Sequence, residues 1–332
     1  MKFEQKYPDA KINDKFEFEY TYVSKKNLGA CVVCESFTRW ANEDNRHVCS
    51  EECGGKLNHL SHKQDDYKKA VETELAFASV AREATKDIII VVHDQLDYVK
   101  NCIESVRKHT ENYTLYIWDN ASNAETMQYL EDLQEEHATG DFGWDIEVWR
   151  FETNVGFIKP NNQLAQIGTG EYIILLNSDT EVSQNWDTTM IGWLQQNPNV
   201  SQVGYWGGHL GPDGRGFGGD NGYEVDYISG SCFCISRETY NKHGLFDQDN
   251  LNFAYCEDAD FSLRLLESGE QIYALHIGLV EHFQNKTIQA VKDEGCIDVR
   301  ATFEDNHKYI RSRWGQYLST QRVLVRRMNL NV

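Results

Sequence analysis

The chain has 332 residues, of which 40% are hydrophobic, and its formal net charge is −20. This length can bury one large core with an appendage or two, whereas so negative a charge argues against a generally basic nucleic-acid-binding protein. No apolar stretch is long enough to span a bilayer, and the N-terminus has no apolar signal-peptide core. We therefore expect a soluble, cytoplasmic protein.

The N-terminal part of the chain is cysteine-rich. Residues 1–24 form an arm without a clear hydrophobic period, and segment 25–64 contains two close cysteine pairs, Cys31 with Cys34 and Cys49 with Cys53. Each pair can form half of a tetrahedral Zn²⁺ site, and the metal can replace a core that so small a module cannot build. The run VCSEEC resembles the second knuckle of treble-clef zinc modules. Free thiols or a disulfide pair are the alternative.

Residues 65–86 have helical composition and connect this module to the remainder of the chain. From Asp87 onward, short apolar runs alternate with segments whose apolar residues recur at helical spacing. Strands are predicted near 87–93, 113–118, 146–151, 171–176 and 200–206, and helices near 96–106, 125–136, 159–167 and 184–196. Repeated β-α-β units predict an α/β fold with a mostly parallel sheet flanked by helices.

Segment 171–182, EYIILLNSDTEV, is an apolar run that ends in polar residues. Such a run predicts a strand that is buried on both faces. Ligands collect beyond the carboxyl ends of strands in open α/β sheets, so Asn177 and Asp179 are expected to project into a crevice there. Their oxygen atoms suit a divalent cation that carries phosphate. Alternatively, both residues only start a turn and cap the next helix.

Segment 207–222 is rich in glycine and is predicted to be an irregular loop, either a lid over a ligand or an ordinary surface loop. A strand over 227–236 follows, in which Cys232 and Cys234 are expected to pack as small hydrophobic residues.

Three acidic residues, Glu257, Asp258 and Asp260, lead into a helix that Gly269 ends. They are favoured there by the helix dipole, or one of them faces the crevice as a general base. His282 follows a strand-like run over 271–281 and is either a metal ligand or an ordinary polar residue.

These segments, in this order, resemble family 2 glycosyltransferases, and particularly their rhamnosyltransferase-like branch. The resemblance covers 87–287 and is carried by motifs such as WDNASNAET, NVGFIKPNNQ, LLNSDTEV, SGSCFCISR, EDADFSLR and VEHF. It implies a GT-A domain of an inverting enzyme that uses a nucleotide sugar. A weaker similarity reaches DNHKYIRSRWG, within a C-terminal helical segment, 288–332.

The resemblance also implies site residues. Asp258 corresponds to the catalytic base, and Asp179 with His282 to a site for Mn²⁺ or Mg²⁺. Asp119 corresponds to the carboxylate that binds the nucleobase. The residues implied in nucleotide-sugar binding are Val92, His93, Asp119, Asn154, Gly156, Asn162, Asn177 and Ser178. Asn177 stands where the family's metal motif usually begins with Asp.

The predicted function is a metal-dependent transfer of a sugar from a nucleotide diphosphate sugar to an acceptor hydroxyl, on a glycan. A modified DNA base is an alternative acceptor, because zinc knuckles bind nucleic acids and a basic tail from Lys308 to Arg327 follows the last acidic residue, Asp305. That tail is otherwise the solvated face of a closing helix. A non-catalytic sugar-nucleotide or carbohydrate binder is the third interpretation.

Overall fold

The computed structural model describes the backbone and side chains of residues 66–79, 81, 83–140, 144–211, 213–216, 218–283 and 298–319. It describes the backbone alone of residues 10–12, 18–20, 29–30, 37–38, 57–65, 217 and 320–329. The chain divides into two compact units, Met1–Ala70 and Val71–Val332.

The first unit contains two short antiparallel strand pairs and the beginning of a long helix. β1 (Ala10–Ile12) pairs with β2 (Phe18–Tyr20), and β3 (Gly29–Ala30) pairs with β4 (Phe37–Thr38). Helix α1 (Leu57–Ala78) begins earlier and ends earlier than the connecting helix that the sequence predicts. The cysteines predicted to bind zinc lie outside the described residues, namely Cys31, Cys34, Cys49 and Cys53.

The second unit alternates strands and helices. In chain order its first elements are β5 (Lys86–Val92), α2 (Leu96–His109), β6 (Tyr113–Asn120), α3 (Ala124–Thr139), β7 (Asp145–Phe151), α4 (Ile158–Ile167), β8 (Tyr172–Leu176), β9 (Thr180–Val182) and α5 (Trp186–Gln196). The later elements are β10 (Val200–Gly204), β11 (Gly207–Leu210), β12 (Gly216–Asp220), β13 (Tyr227–Ile228), β14 (Cys232–Ser236), α6 (Arg237–His243), α7 (Glu257–Glu267), β15 (Gln271–Ala274), β16 (Val280–His282) and α8 (Val299–Asn329).

Seven strands form the main sheet, in the order β15-β10-β14-β8-β5-β6-β7. All of them run parallel except β14, which is antiparallel to both of its neighbours. The inner strands β5, β8 and β14 are buried on both faces because helices cover each side, which explains why their sequences are nearly continuous apolar runs, whereas the edge strand β7 is partly exposed. The predicted α/β fold with a mostly parallel sheet is confirmed.

Alternate residues of β5 belong to opposite faces of the sheet. Ile88 and Ile90 pack in a cluster that includes Ile103 of α2, whereas Ile89 packs in a cluster that includes Phe261 of α7. Cys232 and Cys234 are fully buried, as expected for small hydrophobic residues.

The C-terminal helix α8 packs against α7 through a third apolar cluster, which includes Leu263, Ile310, Trp314 and Leu318. It lies within the predicted C-terminal helical segment. None of the helices in the described part of the chain combines the length and the apolar character that a bilayer crossing requires.

The glycine-rich segment 207–222 contains a β-hairpin, so the prediction of an irregular loop is wrong. β11 pairs with β12 and also with β13 in a small three-stranded sheet. Glycine permits this close packing, since a Cβ on Gly207 would lie 2.4 Å from Cγ1 of Val225. Gly214, between β11 and β12, has a φ of +79°, a conformation that favours glycine.

Candidate active site

A cleft of about 260 Å³ lies at the carboxyl ends of β5, β6 and β8. One wall consists of residues that end or follow these strands, and the other consists of 229–231, 253–255, Glu257 and Asp258. Segment 229–231 is available for this wall because the predicted long strand over 227–236 is broken there into β13 and β14. The cleft lies at the edge of the sheet at which open α/β sheets bind ligands.

Asp179 and His282 meet at this cleft although they lie far apart in the sequence. β9, which follows Asp179 directly, pairs antiparallel with β16, and His282 stands opposite Thr180 in that pair. As a result, Oδ1 of Asp179 lies 3.1 Å from Nε2 of His282. Nδ2 of Asn177 lies 3.5 Å from the same nitrogen.

The chemistry of these three side chains fits a hard divalent cation. The buried Oδ1 of Asn177 has no hydrogen-bond partner among the described residues, and such an oxygen is available to a metal. Three or more His, Cys, Asp or Glu side chains do not come together as a metal site anywhere in the described part of the chain. A cation at Asp179 and His282 would therefore need further ligands from a diphosphate and water, as is common for Mg²⁺.

Two acidic residues of α7 face the same cleft. Oδ2 of Asp258 accepts the N–H of Gly230 at 3.0 Å, and its Oδ1 accepts the N–H of Ala259 at 2.8 Å. Burial raises the pKa of Asp258. Burial also raises the pKa of Glu257 to about 8, and the charge of Asp258 adds to that shift. Such perturbed carboxylates in a cleft are typical of functional sites.

Asp260, the third acidic residue of this cluster, serves the structure of α7 and α8. Its Oδ1 accepts the indole N–H of Trp314 at 2.8 Å, and its Oδ2 accepts from Nε of Arg264 at 2.9 Å. Asp260 is fully buried and does not line the cleft.

Asn120, at the end of β6, organises the part of the cleft opposite α7. Its Nδ2 donates to Oδ1 of Asn154 at 2.7 Å and to the carbonyl of Gly156 at 2.9 Å, and its Oδ1 accepts the N–H of Val155 at 2.8 Å. His93 joins this group, because its Nδ1 lies 2.9 Å from the carbonyl of Asn120. Sequence reasoning missed Asn120, although its place at the end of a buried strand could have indicated it.

The predicted nucleotide-sugar residues fall into two groups. His93, Asn154, Gly156, Asn177 and Ser178 line the cleft.

The other three residues, Val92, Asp119 and Asn162, do not line it. Val92 is buried in the core, and Asp119 forms an ion pair with Arg150 of β7. Asn162 uses its side chain to hold the backbone of Phe246, accepting its N–H at 2.9 Å and donating to its carbonyl at 2.8 Å.

Comparison with known proteins shows which family and fold this domain resembles. Residues 87–244 match the model of the family described as Glycosyl transferase family 2. The crystal structure of GalNAc-T7 with UDP, GalNAc and Mn²⁺ is similar at 19% identity and a TM-score of 0.51, over 60% of this chain and 44% of that one. At this identity the likeness concerns the fold.

Two further relatives were found. One, from Macaca fascicularis, is named "Inactive polypeptide N-acetylgalactosaminyltransferase-like protein 5" and is 24% identical over 241 residues, which is 62% of this chain and 53% of the relative. The other, mannosyltransferase PcManGT from Pyrobaculum calidifontis in complex with GDP-Man and Mn²⁺, is 12% identical, with a TM-score of 0.46 over 64% of each chain.

This chain thus spans about half the length of the relative from Macaca fascicularis and less than half of GalNAc-T7. Residues 87–244 match the glycosyl transferase family 2 model, and the sheet and helices around them have the GT-A fold.

Proposed function

We propose that this protein is a metal-dependent, inverting glycosyltransferase that moves a sugar from a nucleotide diphosphate sugar to a hydroxyl group of a glycan. The observation that carries the proposal is that Asp179 and His282 meet on one side of a cleft that Asp258 also lines. The glycosyl transferase family 2 domain supports the class of reaction. The sequence motifs favour the rhamnosyltransferase-like branch of that family.

The charges of the cleft are the reason to propose a metal. Three acidic side chains line it, those of Asp179, Glu257 and Asp258, and no Lys or Arg is among its described lining residues. A diphosphate would be repelled by ionised carboxylates unless a cation lay between them. Asn177, Asp179 and His282 would hold Mn²⁺ or Mg²⁺, and the bound ion would neutralise the charge that develops on the leaving diphosphate.

Asp258 is the proposed general base. It would accept the proton of the acceptor hydroxyl while that oxygen attacks the anomeric carbon. The new carbon–oxygen bond forms as the bond to the diphosphate oxygen breaks, and the bonding electron pair leaves with the nucleotide diphosphate. Attack from the face opposite the leaving group inverts the configuration. The raised pKa of Asp258 makes it a stronger base than an exposed aspartate.

The donor would lie between the two walls of the cleft. His93, Asn154 and Gly156 are proposed to contact the nucleotide and its sugar, together with Asn177 and Ser178, while Val92 and Asn162 support them from behind. Asp119 is proposed to bind the nucleobase, which would require its Arg150 partner to share or leave that carboxylate. The Arg150 side chain is 30% exposed and therefore has room to move.

A glycan acceptor is favoured over DNA by electrostatics. The formal net charge of −20 and the carboxylates of the cleft would repel a phosphate backbone. A neutral sugar hydroxyl meets no such repulsion. The zinc module and the basic tail remain the features on which a DNA acceptor would depend.

A non-catalytic binder is the second candidate, and one observation favours it. The relative from Macaca fascicularis bears the word inactive in its name. A protein of this class would bind a nucleotide with Mn²⁺ without releasing it from a donor sugar, so turnover distinguishes the two candidates.

The test is nucleotide release from UDP-GlcNAc, UDP-GalNAc and GDP-mannose, measured with Mn²⁺ and again with EDTA. We expect release from at least one donor with Mn²⁺ and none with EDTA. Asp258→Asn should lower the rate by about 10²- to 10⁴-fold, the usual contribution of a general base. Asp305→Asn, at an exposed carboxylate of α8, is the matched control and should release nucleotide at the wild-type rate.

Release that ignores both the chelator and the Asp258 substitution would contradict the mechanism. Binding of UDP with Mn²⁺ but no release from any donor would favour the non-catalytic binder. Transfer to a DNA duplex containing a modified base, but to no glycan, would identify DNA as the acceptor.

For the first unit we propose a structural Zn²⁺ held by Cys31, Cys34, Cys49 and Cys53, on the spacing of the two cysteine pairs. Elemental analysis of protein purified without chelator should find about one zinc per chain. Cys31→Ser should lower the zinc content, whereas Cys102→Ser, at a buried cysteine of the sheet domain, should not. Zinc-free wild-type protein would contradict this site.

A further inference from the structure

We propose that Asn306, on the C-terminal helix α8, is a positioning residue that holds the active-site loop 251–256. This inference rests on the proposed function, because the loop leads directly into Glu257 and Asp258 at the start of α7. It concerns a residue outside the glycosyl transferase family 2 match, which ends at residue 244.

Asn306 is fully buried and bonds to the loop backbone at several points. Its Nδ2 lies within hydrogen-bond distance of the carbonyl oxygens of Asn252 (2.8 Å), Ala254 (2.9 Å) and Tyr255 (3.0 Å). Its Oδ1 accepts the N–H of Asn252 at 2.9 Å. Since the amide group has two N–H bonds, the three carbonyls share them. One side chain thus satisfies much of the backbone of an irregular segment.

These three carbonyls occupy special places in the loop. Each immediately precedes a residue with a left-handed backbone, namely Phe253 (φ 57°), Tyr255 (φ 78°) and Cys256 (φ 70°). Residues other than glycine rarely adopt this backbone conformation, so it persists only where the surrounding structure holds it. Asn306 therefore holds the peptide groups that immediately precede the three residues with a left-handed backbone.

The loop is also held from the opposite side. The carbonyl of Phe253 accepts the N–H of Phe157 at 2.6 Å and that of Ile158 at 3.2 Å, at the start of α4. A Cβ on Gly156 would lie only 2.4 Å from the same carbonyl oxygen. The loop is consequently fixed between α8 and the segment proposed to bind the donor.

The loop orientation determines where the proposed base lies. Cys256 is the N-cap residue of α7, and its carbonyl accepts the N–H of Asp260 at 2.9 Å. The direction of the 255–256 backbone therefore sets the start of the helix, whose second residue is Asp258. Asp179 immediately precedes β9 and His282 is the last residue of β16, and none of the described hydrogen bonds of Asn306 reaches either strand. Loss of Asn306 should thus displace the base relative to the metal ligands.

A displacement of about 1 Å can cost about 10²-fold in rate. We expect Asn306→Ala to lower kcat for the donor that turns over fastest by about 10²-fold, with little change in the Kd for UDP and Mn²⁺. Asn306→Asp keeps the size and the acceptor oxygen but replaces the donor with a carboxylate that faces three carbonyls. It should be impaired at least as strongly.

The control for general destabilisation of α8 is Leu318→Ala. Leu318 is buried in the cluster between α7 and α8, and its side chain is not among the groups that bond to the loop. Hydrogen exchange of a peptide spanning 251–258 supplies a readout that does not depend on activity. Exchange there should accelerate at least about tenfold in both Asn306 variants under conditions where the folded state dominates, and not in Leu318→Ala.

The two proposals fail in different ways. If the wild type turns over no donor, the proposed function is overturned. Faster hydrogen exchange in the loop of the Asn306 variants would still support the positioning role in that case. Wild-type turnover with unchanged exchange and kcat in Asn306→Asp would overturn the positioning role and leave the proposed function intact. An equal loss of kcat in Leu318→Ala would also overturn it.

Discussion

The pairing of buried charged residues differs between the two edges of the main sheet, the one at which the parallel strands begin and the one at which they end. At the amino-terminal edge, Lys86 and Asp187 form an ion pair at 2.6 Å with side chains 1% and 2% exposed. Another such pair joins Asp87 and Arg237. At the carboxyl-terminal edge, the described lining of the cleft holds Asp179, Glu257 and Asp258 but no Lys or Arg. Charge neutralised within the protein indicates structure, whereas concentrated carboxylates indicate where a cation or a proton is to be bound.

The largest effect on stability is expected at the neutralised edge. Lys86→Met should lower the free energy of unfolding by about 3–5 kcal/mol, because Asp187 would remain buried without its cation. The double variant Lys86→Met/Asp187→Leu should recover most of this loss, since an apolar pair replaces both charges. Denaturant unfolding monitored by circular dichroism measures both. A loss below about 1 kcal/mol in the single variant would show that the ion pair is not structurally important.

A smaller effect on stability is expected at the cleft, where a substitution should raise the free energy of unfolding at high pH instead of lowering it. The pKa of Glu257 is about 8 in the folded protein against an ordinary value of 4.5, so the unfolded chain binds fewer protons between these values. The contribution of Glu257 to the free energy of unfolding is present below pH 4.5 and is lost as the pH rises toward 8. Glu257→Gln should remove this loss. From about pH 4.5 to pH 9, the free energy of unfolding of this variant should therefore rise by on the order of 2 kcal/mol relative to that of wild type.

Unfolding curves at both pH values, without Mn²⁺, measure this change. Glu267→Gln, at the end of the same helix, serves as the control and should follow the wild-type pH dependence. If the free energy of unfolding of Glu257→Gln falls with pH as steeply as that of wild type, Glu257 does not carry the proton assigned to it.

The smallest effect, in energy, is expected for a single metal ligand. Asp179→Ala should raise the Mn²⁺ concentration needed for half-maximal UDP binding by at least about tenfold, about 1.4 kcal/mol, because a charged ligand is lost. Isothermal titration with UDP at several Mn²⁺ concentrations measures it, with Asp305→Asn as the control. If the dependence of UDP binding on Mn²⁺ concentration is unchanged in Asp179→Ala, Asp179 does not bind the cation.

The sequence predicts the framework of the fold because its signals are local. The buried run of β8 and the helical spacing of Val99, Ile103 and Val106 in α2 each fit one element. The resemblance to a known family then indicated Asp179, His282 and Asp258, which the structure brings to one cleft.

Other features depend on contacts that no local pattern contains. The hairpin of 207–222 was missed because its glycines allow close strand packing as readily as they allow an irregular loop. The ion pair between Asp119 and Arg150 depends on the register of β6 with β7. Asn306 looks like an ordinary polar residue of an amphipathic helix until the loop of 251–256 is placed against it.

The most direct test is anomalous diffraction at the manganese edge from crystals grown with Mn²⁺ and UDP. Our account predicts a single strong peak in the cleft, about 2.0–2.3 Å from an oxygen of Asp179 and from Nε2 of His282, with the diphosphate of UDP and water as the further ligands. UDP bound in the cleft without a peak there, or a peak away from Asp179 and His282, would contradict it.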